Sequence, residues 1–132
     1  MKPEIEKAIQ EIRTSFGREV EVQPDGEEGA FVKVLDLEIG SHYEPERSWV
    51  AFRITFQYPF ADVYPHFLVS HLKRKDGKEL TNPLHPQGQF WEPPSGKEAV
   101  VMLSRRSNRR DAAVDTAALK LQRVLEWLRS QQ

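Results

Sequence analysis

The chain has 132 residues, and its 19 Lys and Arg stand against 20 Asp and Glu for a formal charge of -1. That length suits one domain, residues 1–132, large enough to bury a core without disulfides or a structural metal. The even charge leaves no global field toward nucleic acid or an anionic membrane, and the lack of any cysteine excludes disulfides and all chemistry that needs a thiol.

Ile5, Ala8, Ile9, Ile12 and Phe16 recur with Glu4, Glu6, Lys7, Glu11 and Arg13 between them, the pattern of an amphipathic helix that ends near Gly17. This stretch is charged at short intervals and lacks the apolar run of a signal peptide, and no later stretch reaches the length of a membrane span, so the cytoplasm is the expected compartment. Arg18 to Val22 alternates charged and apolar residues, and Pro24-Asp25-Gly26 with Gly29 supplies a turn, so a hairpin is expected. Its second arm, Phe31 to Ile39, slips phase near Val34, which points to a bulge.

From Trp49 to Tyr58 the residues Val50, Phe52, Ile54, Phe56 and Tyr58 share one face, with Arg53, Thr55 and Gln57 on the other, the pattern of a half-buried strand. Pro59 and Pro65 flank a polar turn; Phe67 to Leu72 reads as the next strand, ending in a basic hairpin tip of Lys73, Arg74, Lys75 and Lys78. Thr81 to Gly96 contains Pro83, Pro86, Pro93 and Pro94, where neither a helix nor a central strand is comfortable, so a long irregular segment is expected. Ala99 to Leu103 reads as a short buried strand. Asp115 or Thr116 can then cap a helix whose apolar face is Ala117, Leu121, Val124 and Leu128, widened by Ala118, Leu125 and Trp127. The expected class is α+β: an N-terminal helix, a four-stranded antiparallel meander, a long proline-rich loop and a C-terminal helix.

This order of elements resembles ubiquitin-conjugating enzymes and the related RWD domains. The stretch FRITFQYPFADVYPHFLVS, residues 52–70, is similar to that family's strand, Tyr-Pro turn (Tyr64-Pro65) and following strand. LHPQG, residues 84–88, resembles its His-Pro-Asn motif, with Gln87 where Asn is usual. In the active family the Asn amide helps stabilise the oxyanion formed when a lysine attacks the thioester, a charge-stabilising role. Gln87 keeps the amide on an arm one methylene longer. The family's nucleophilic Cys would fall between Ser95 and Ser104, where no thiol is present. A serine hydroxyl at either end of that window is a poor nucleophile without an activating base and could at best form a stable ester. The resemblance therefore marks His85, Pro86, Gln87, Ser95 and Ser104 as a vestigial active-site region. The stretch from Met102 to Leu128 departs from the eukaryotic pattern and is closer to bacterial relatives encoded beside ubiquitin-like proteins and their activating enzymes.

Arg105, Arg106, Arg109 and Arg110 form one basic group, whose forked donors suit carboxylate or phosphate; a solvated charged face is the plainer reading. Trp91 is an interface anchor if exposed and a core residue if not. His42, His66, His71 and His85 lack metal-ligand spacing, so no metal or cofactor is expected, and no nucleophile elbow or phosphate-cradling glycine loop occurs. The reading is a cysteine-less conjugating-enzyme-like domain that binds a ubiquitin-like protein, an activating enzyme or another operon-encoded protein, away from membranes. Two alternatives stay open: an active conjugating enzyme whose cysteine is substituted in this sequence, and a small nucleic-acid-binding domain using the basic loops, though nucleic acid is the less expected partner.

Overall fold

The computed structural model describes residues 1–131. Along the chain lie α1 (Pro3–Phe16), β1 (Val20–Pro24), β2 (Ala30–Glu38), β3 (Tyr43–Glu44), β4 (Arg47–Ile54), β5 (His66–Val69), β6 (Lys73–Arg74), β7 (Leu84–Trp91), β8 (Glu98–Leu103) and α2 (Ala117–Ser130). Six strands form one antiparallel sheet in the order β1-β2-β4-β5-β8-β7, and β3 pairs with β6 apart from it.

The α+β class with a helix at either end is as expected, whereas the four-stranded meander is not. The Thr81 to Gly96 segment supplies a strand, β7, at the edge of the sheet, and β8 lies between it and β5. An edge strand needs ladder hydrogen bonds on one side only, so it tolerates Pro86. The register also breaks between His85 and Gln89, and within that break Gly88 takes φ 71, a left-handed conformation glycine adopts at little cost. The basic hairpin tip is also redrawn: Lys73 and Arg74 are the short strand β6, and only the residues after them turn.

Alternation gives the sheet two different faces. On the inner one Val32, Val50, Phe52, Ile54, Leu68 and Leu103 pack with Ile5, Ile9 and Ile12 of α1 and Leu121, Val124 and Leu128 of α2, so both helices contribute to one core. On the outer face Trp91, Ala51 and Val100 gather Phe31, Trp49 and Phe67. The Trp91 ring meets Phe31 edge-on at 5.4 Å and tilts against Phe67 at 5.3 Å, leaving Trp91 4% exposed. It is a core residue and not an exposed anchor, because β7 folds its indole back over the sheet. The turn beyond β7 is held to β1 by Gln23 and Ser95: the Gln23 amide donates to Ser95 Oγ at 2.7 Å and accepts the Ser95 N–H at 3.1 Å.

Local signals set the ends of the elements. Gly17 closes α1 at φ 60 and its N–H donates to the Arg13 carbonyl at 3.0 Å. The phase slip in β2 is a register shift between Val34 and Leu37, with Asp36 at φ 54 and its carboxylate gripped by Arg47 at 2.6 Å. Strand β4 stops at Ile54, short of Tyr58: Phe56 is exposed, while Tyr58 turns inward and its hydroxyl accepts the Ala117 N–H at 3.1 Å. That N–H and the Leu119 N–H, which donates to Thr116 Oγ1 at 3.1 Å, are orphan donors of the first turn of α2. Thr116→Ala and Tyr58→Phe are each expected to cost about 1 kcal/mol of stability; a urea midpoint that either change leaves in place would remove that residue from the cap.

Candidate functional site

The segment from Ser104 to Thr116 joins β8 to α2 without regular structure and carries all four arginines of the basic group. Its shape is imposed by Asp62, in the turn before β5. One Asp62 oxygen accepts the Ser107 N–H at 2.7 Å and the Lys120 ammonium at 3.0 Å, and the other accepts the Ser107 hydroxyl at 3.0 Å. Lys120 lies on the buried side of α2, 7% exposed, and its two remaining donors reach the Arg105 carbonyl and Ser107 Oγ, both at 2.8 Å. Arg110 adds an ion pair to Asp62 at 3.6 Å and donates to the Pro59 and Phe60 carbonyls.

Burial would raise the Asp62 carboxyl, but the Ser107 N–H and the Lys120 ammonium outweigh it and hold the group below the ordinary carboxylate range. Burial likewise pushes the Lys120 ammonium down, and Asp62 offsets part of that. The same corner contains His66, fully buried against the Phe52 ring, with neither ring nitrogen hydrogen-bonded. Desolvation, reinforced by the Lys120 charge and opposed by Asp62, lowers it from 6.5 to about 3, so it is neutral at any pH at which the chain is normally handled.

With Arg110 committed to Asp62, the other three arginines face outward. The Arg105 guanidinium lies 5.0 Å over the Trp127 ring and that of Arg106 4.1 Å over the Tyr64 ring, contacts that orient both planar groups. Arg109 is exposed and takes φ 53, an uncommon conformation for a residue with a side chain. None of the three has a carboxylate within salt-bridge distance among the described residues; in the same region the ion pairs go to Arg110, Lys120 and Arg123. The second basic group differs. Arg74 pairs with Asp76 at 2.7 Å, Lys75 pairs with Glu46, and Lys73 stands 4.0 Å from Glu44.

Only part of the set that the resemblance singles out comes together. His85 Nε2 is 2.6 Å from Ser104 Oγ, which is itself 3.3 Å from the Pro83 carbonyl. A hydroxyl has one proton: when it goes to Pro83, the imidazole must donate to Oγ and cannot act as its base. No group hydrogen-bonds the other ring nitrogen among the described residues, so the pair lacks the third member that orients a catalytic histidine. Pro86 and Gln87 are exposed in the register break of β7, and Ser95 is exposed at the far turn with Gln23. The Tyr64-Pro65 turn does belong to this corner, through the ring beneath Arg106.

Asp62 lies within the 52–70 stretch but outside its Tyr-Pro turn, and no motif singles out Asp62, Ser107 or Lys120. A lysine three residues after Ala117 and four before Val124 falls on the apolar stripe of the helix, and that placement is the available signal that Lys120 is buried and needs an acidic partner. Among the described residues no cluster of His, Asp and Glu could hold a metal ion, and no helix is long and apolar enough to cross a membrane. No family model matches the chain, and no curated protein or solved structure matches it.

Asp62→Ala leaves Lys120 buried without its counter-ion and is expected to cost about 3 kcal/mol, part of it recovered when Lys120→Met is added. Equal losses in the single and double variants by denaturant titration would refute the pairing. His66 is neutral when folded and free to protonate when unfolded. Its contribution is therefore complete above about pH 6.5 and drains as the pH falls toward about 3. Stability is expected to fall over that window by up to about 1.4 kcal/mol per pH unit, and His66→Leu should flatten the slope by about one proton. An acid limb of unchanged slope in the variant would exclude His66 as its source.

Proposed function

We propose that the chain is a ubiquitin-conjugating-enzyme-like domain that acts as a binding module, and not as an acyl carrier, in a bacterial ubiquitin-like conjugation pathway. The observation that carries this reading is the contrast within one corner. Three exposed arginines, two of them oriented by ring stacking, have no acidic partner of their own on a loop anchored by Asp62, while the neighbouring Ser104–His85 pair has no third residue to orient the imidazole as a base. The family assignment rests on the resemblance of residues 52–70 and of His85-Pro86 in their order along the chain, together with a helix at each end of an antiparallel sheet. With no cysteine in the chain a thioester cannot form, and the serines at the ends of the expected window are held by Gln23 and by Pro83 and His85. Recognition of a ubiquitin-like protein, its activating enzyme or another operon-encoded protein is the role this arrangement supports.

The nucleic-acid alternative asks for a continuous basic surface that tracks a backbone. Here the second basic group is largely neutralised by Asp76, Glu46 and Glu44, and the net charge of the chain is -1.

Size exclusion of the chain with candidate ubiquitin-like and activating proteins should show a complex at micromolar concentration. Added ATP and activating enzyme should give no covalent adduct, and Ser95→Ala and Ser104→Ala should leave the complex intact. Absence of any complex, or an adduct on the unaltered chain, overturns the proposal; a thiol-labile adduct gained with Ser95→Cys or Ser104→Cys would favour the substituted-enzyme alternative.

A further inference from the structure

The loop and the first turns of α2 enclose a recess of about 450 Å³. Arg105, Arg106 and Arg109 line it together with Arg123, Lys120 and Val114. Arg123 and Lys120 are already paired, with Asp115 and Asp62 respectively, which leaves the three loop arginines as its cations without an ion pair. Asp111 and Asp115 also border the recess: both Asp115 oxygens serve the loop, accepting the Asp111 N–H at 2.6 Å and Arg123 at 3.0 Å, while Asp111 accepts the Ala113 N–H at 2.9 Å through one oxygen and offsets part of the arginine charge. Val114 is 60% exposed, an aliphatic side chain on the rim of an otherwise cationic hollow.

We propose that this recess receives an acidic peptide segment of a partner protein, one that sets two or more carboxylates beside an aliphatic side chain. The inference rests on the binding-module reading and names the chemistry of what is bound. Guanidinium forks pair with carboxylates in a bidentate way, and stacking on Trp127 and Tyr64 holds two of them in place before a ligand arrives, so less side-chain freedom is lost on binding. A free phosphate would use the arginines and leave Val114 without a role. A nucleic-acid strand would need basic residues continuing beyond the recess, and three of the four residues of the other basic group are already paired. An acidic segment with an apolar residue uses both the charge and the exposed valine.

The test is fluorescence anisotropy with a fluorescein-labelled peptide, Glu-Glu-Leu-Asp-Glu, in a buffer of physiological ionic strength. The peptide should bind, its Gln-Gln-Leu-Asn-Gln counterpart should not, and inorganic phosphate or a thymidine oligonucleotide should displace it poorly. Arg105→Gln, Arg106→Gln and Arg109→Gln together should weaken binding by about tenfold or more, as expected for loss of charge-assisted hydrogen bonds. Val114→Ser should weaken it several-fold, while Lys73→Gln with Lys75→Gln should leave it unchanged. Arg109 and Val114 are exposed, so Arg109→Gln and Val114→Ser read the site even where the triple variant is poorly folded. No binding up to about 1 mM peptide, affinity indifferent to the arginines, or ready displacement by phosphate or oligonucleotide with Val114→Ser silent would each overturn the proposal. Should the peptide bind as described while no conjugation protein forms a complex, the recess stands and the pathway falls. Complexes that form undiminished by Arg109→Gln and Val114→Ser would keep the pathway and remove the recess.

Discussion

The carboxylate of Asp62 is the constraint from which the rest of the candidate site follows. A segment of about a dozen residues with no regular structure has a large conformational entropy to lose, and something specific must hold it. Here a single side chain collects the Ser107 backbone and hydroxyl, the Lys120 ammonium and the Arg110 guanidinium. It thereby ties the loop to α2 and to the turn before β5 at once. Because Lys120 is buried, the carboxylate is also needed to keep a charge inside the protein, so the pair specifies a shape as much as it stabilises one.

The arrangement separates presentation from reaction. Arg110 is consumed in building the loop; Arg105, Arg106 and Arg109 are what the loop displays. Nearby, Ser104 and His85 are close enough to exchange a proton, yet the serine also leans on the Pro83 carbonyl and the imidazole has no orienting partner. Proximity of two reactive residue types is common; activation needs a proton acceptor held in the correct state, and that state is not enforced here.

Much of the fold was legible because its elements obey their periods. The helix faces through Ile5 and Ile12 and through Leu121 and Leu128, the Thr116 cap, the Gly17 stop and the slip after Val34 each carry a local signal that tertiary packing did not override. What was not legible depended on neighbours distant in sequence. Prolines argue against a strand in general, but an edge position with a register break accommodates Pro86, and nothing local reveals which strand will end up at an edge. Tyr58 continues the alternation of β4 in sequence and yet leaves it, since its hydroxyl is claimed by the start of α2, 59 residues later. The basic group could be counted from the sequence, but which arginine is structural and which is free is decided by Asp62, 45 residues before Ser107.

The sheet borders add a consequence for how any associate must approach. Both outermost strands contain a proline, Pro24 in β1 and Pro86 in β7, and the second is further interrupted where its pairing loses step. A stranger's backbone looking for a row of amides and carbonyls to extend finds the row broken within β7 and cut short at the end of β1, which works against runaway edge-to-edge stacking. Contact with other molecules is thereby left to the side chains, and selectivity is set by charge and shape in place of main-chain zippering.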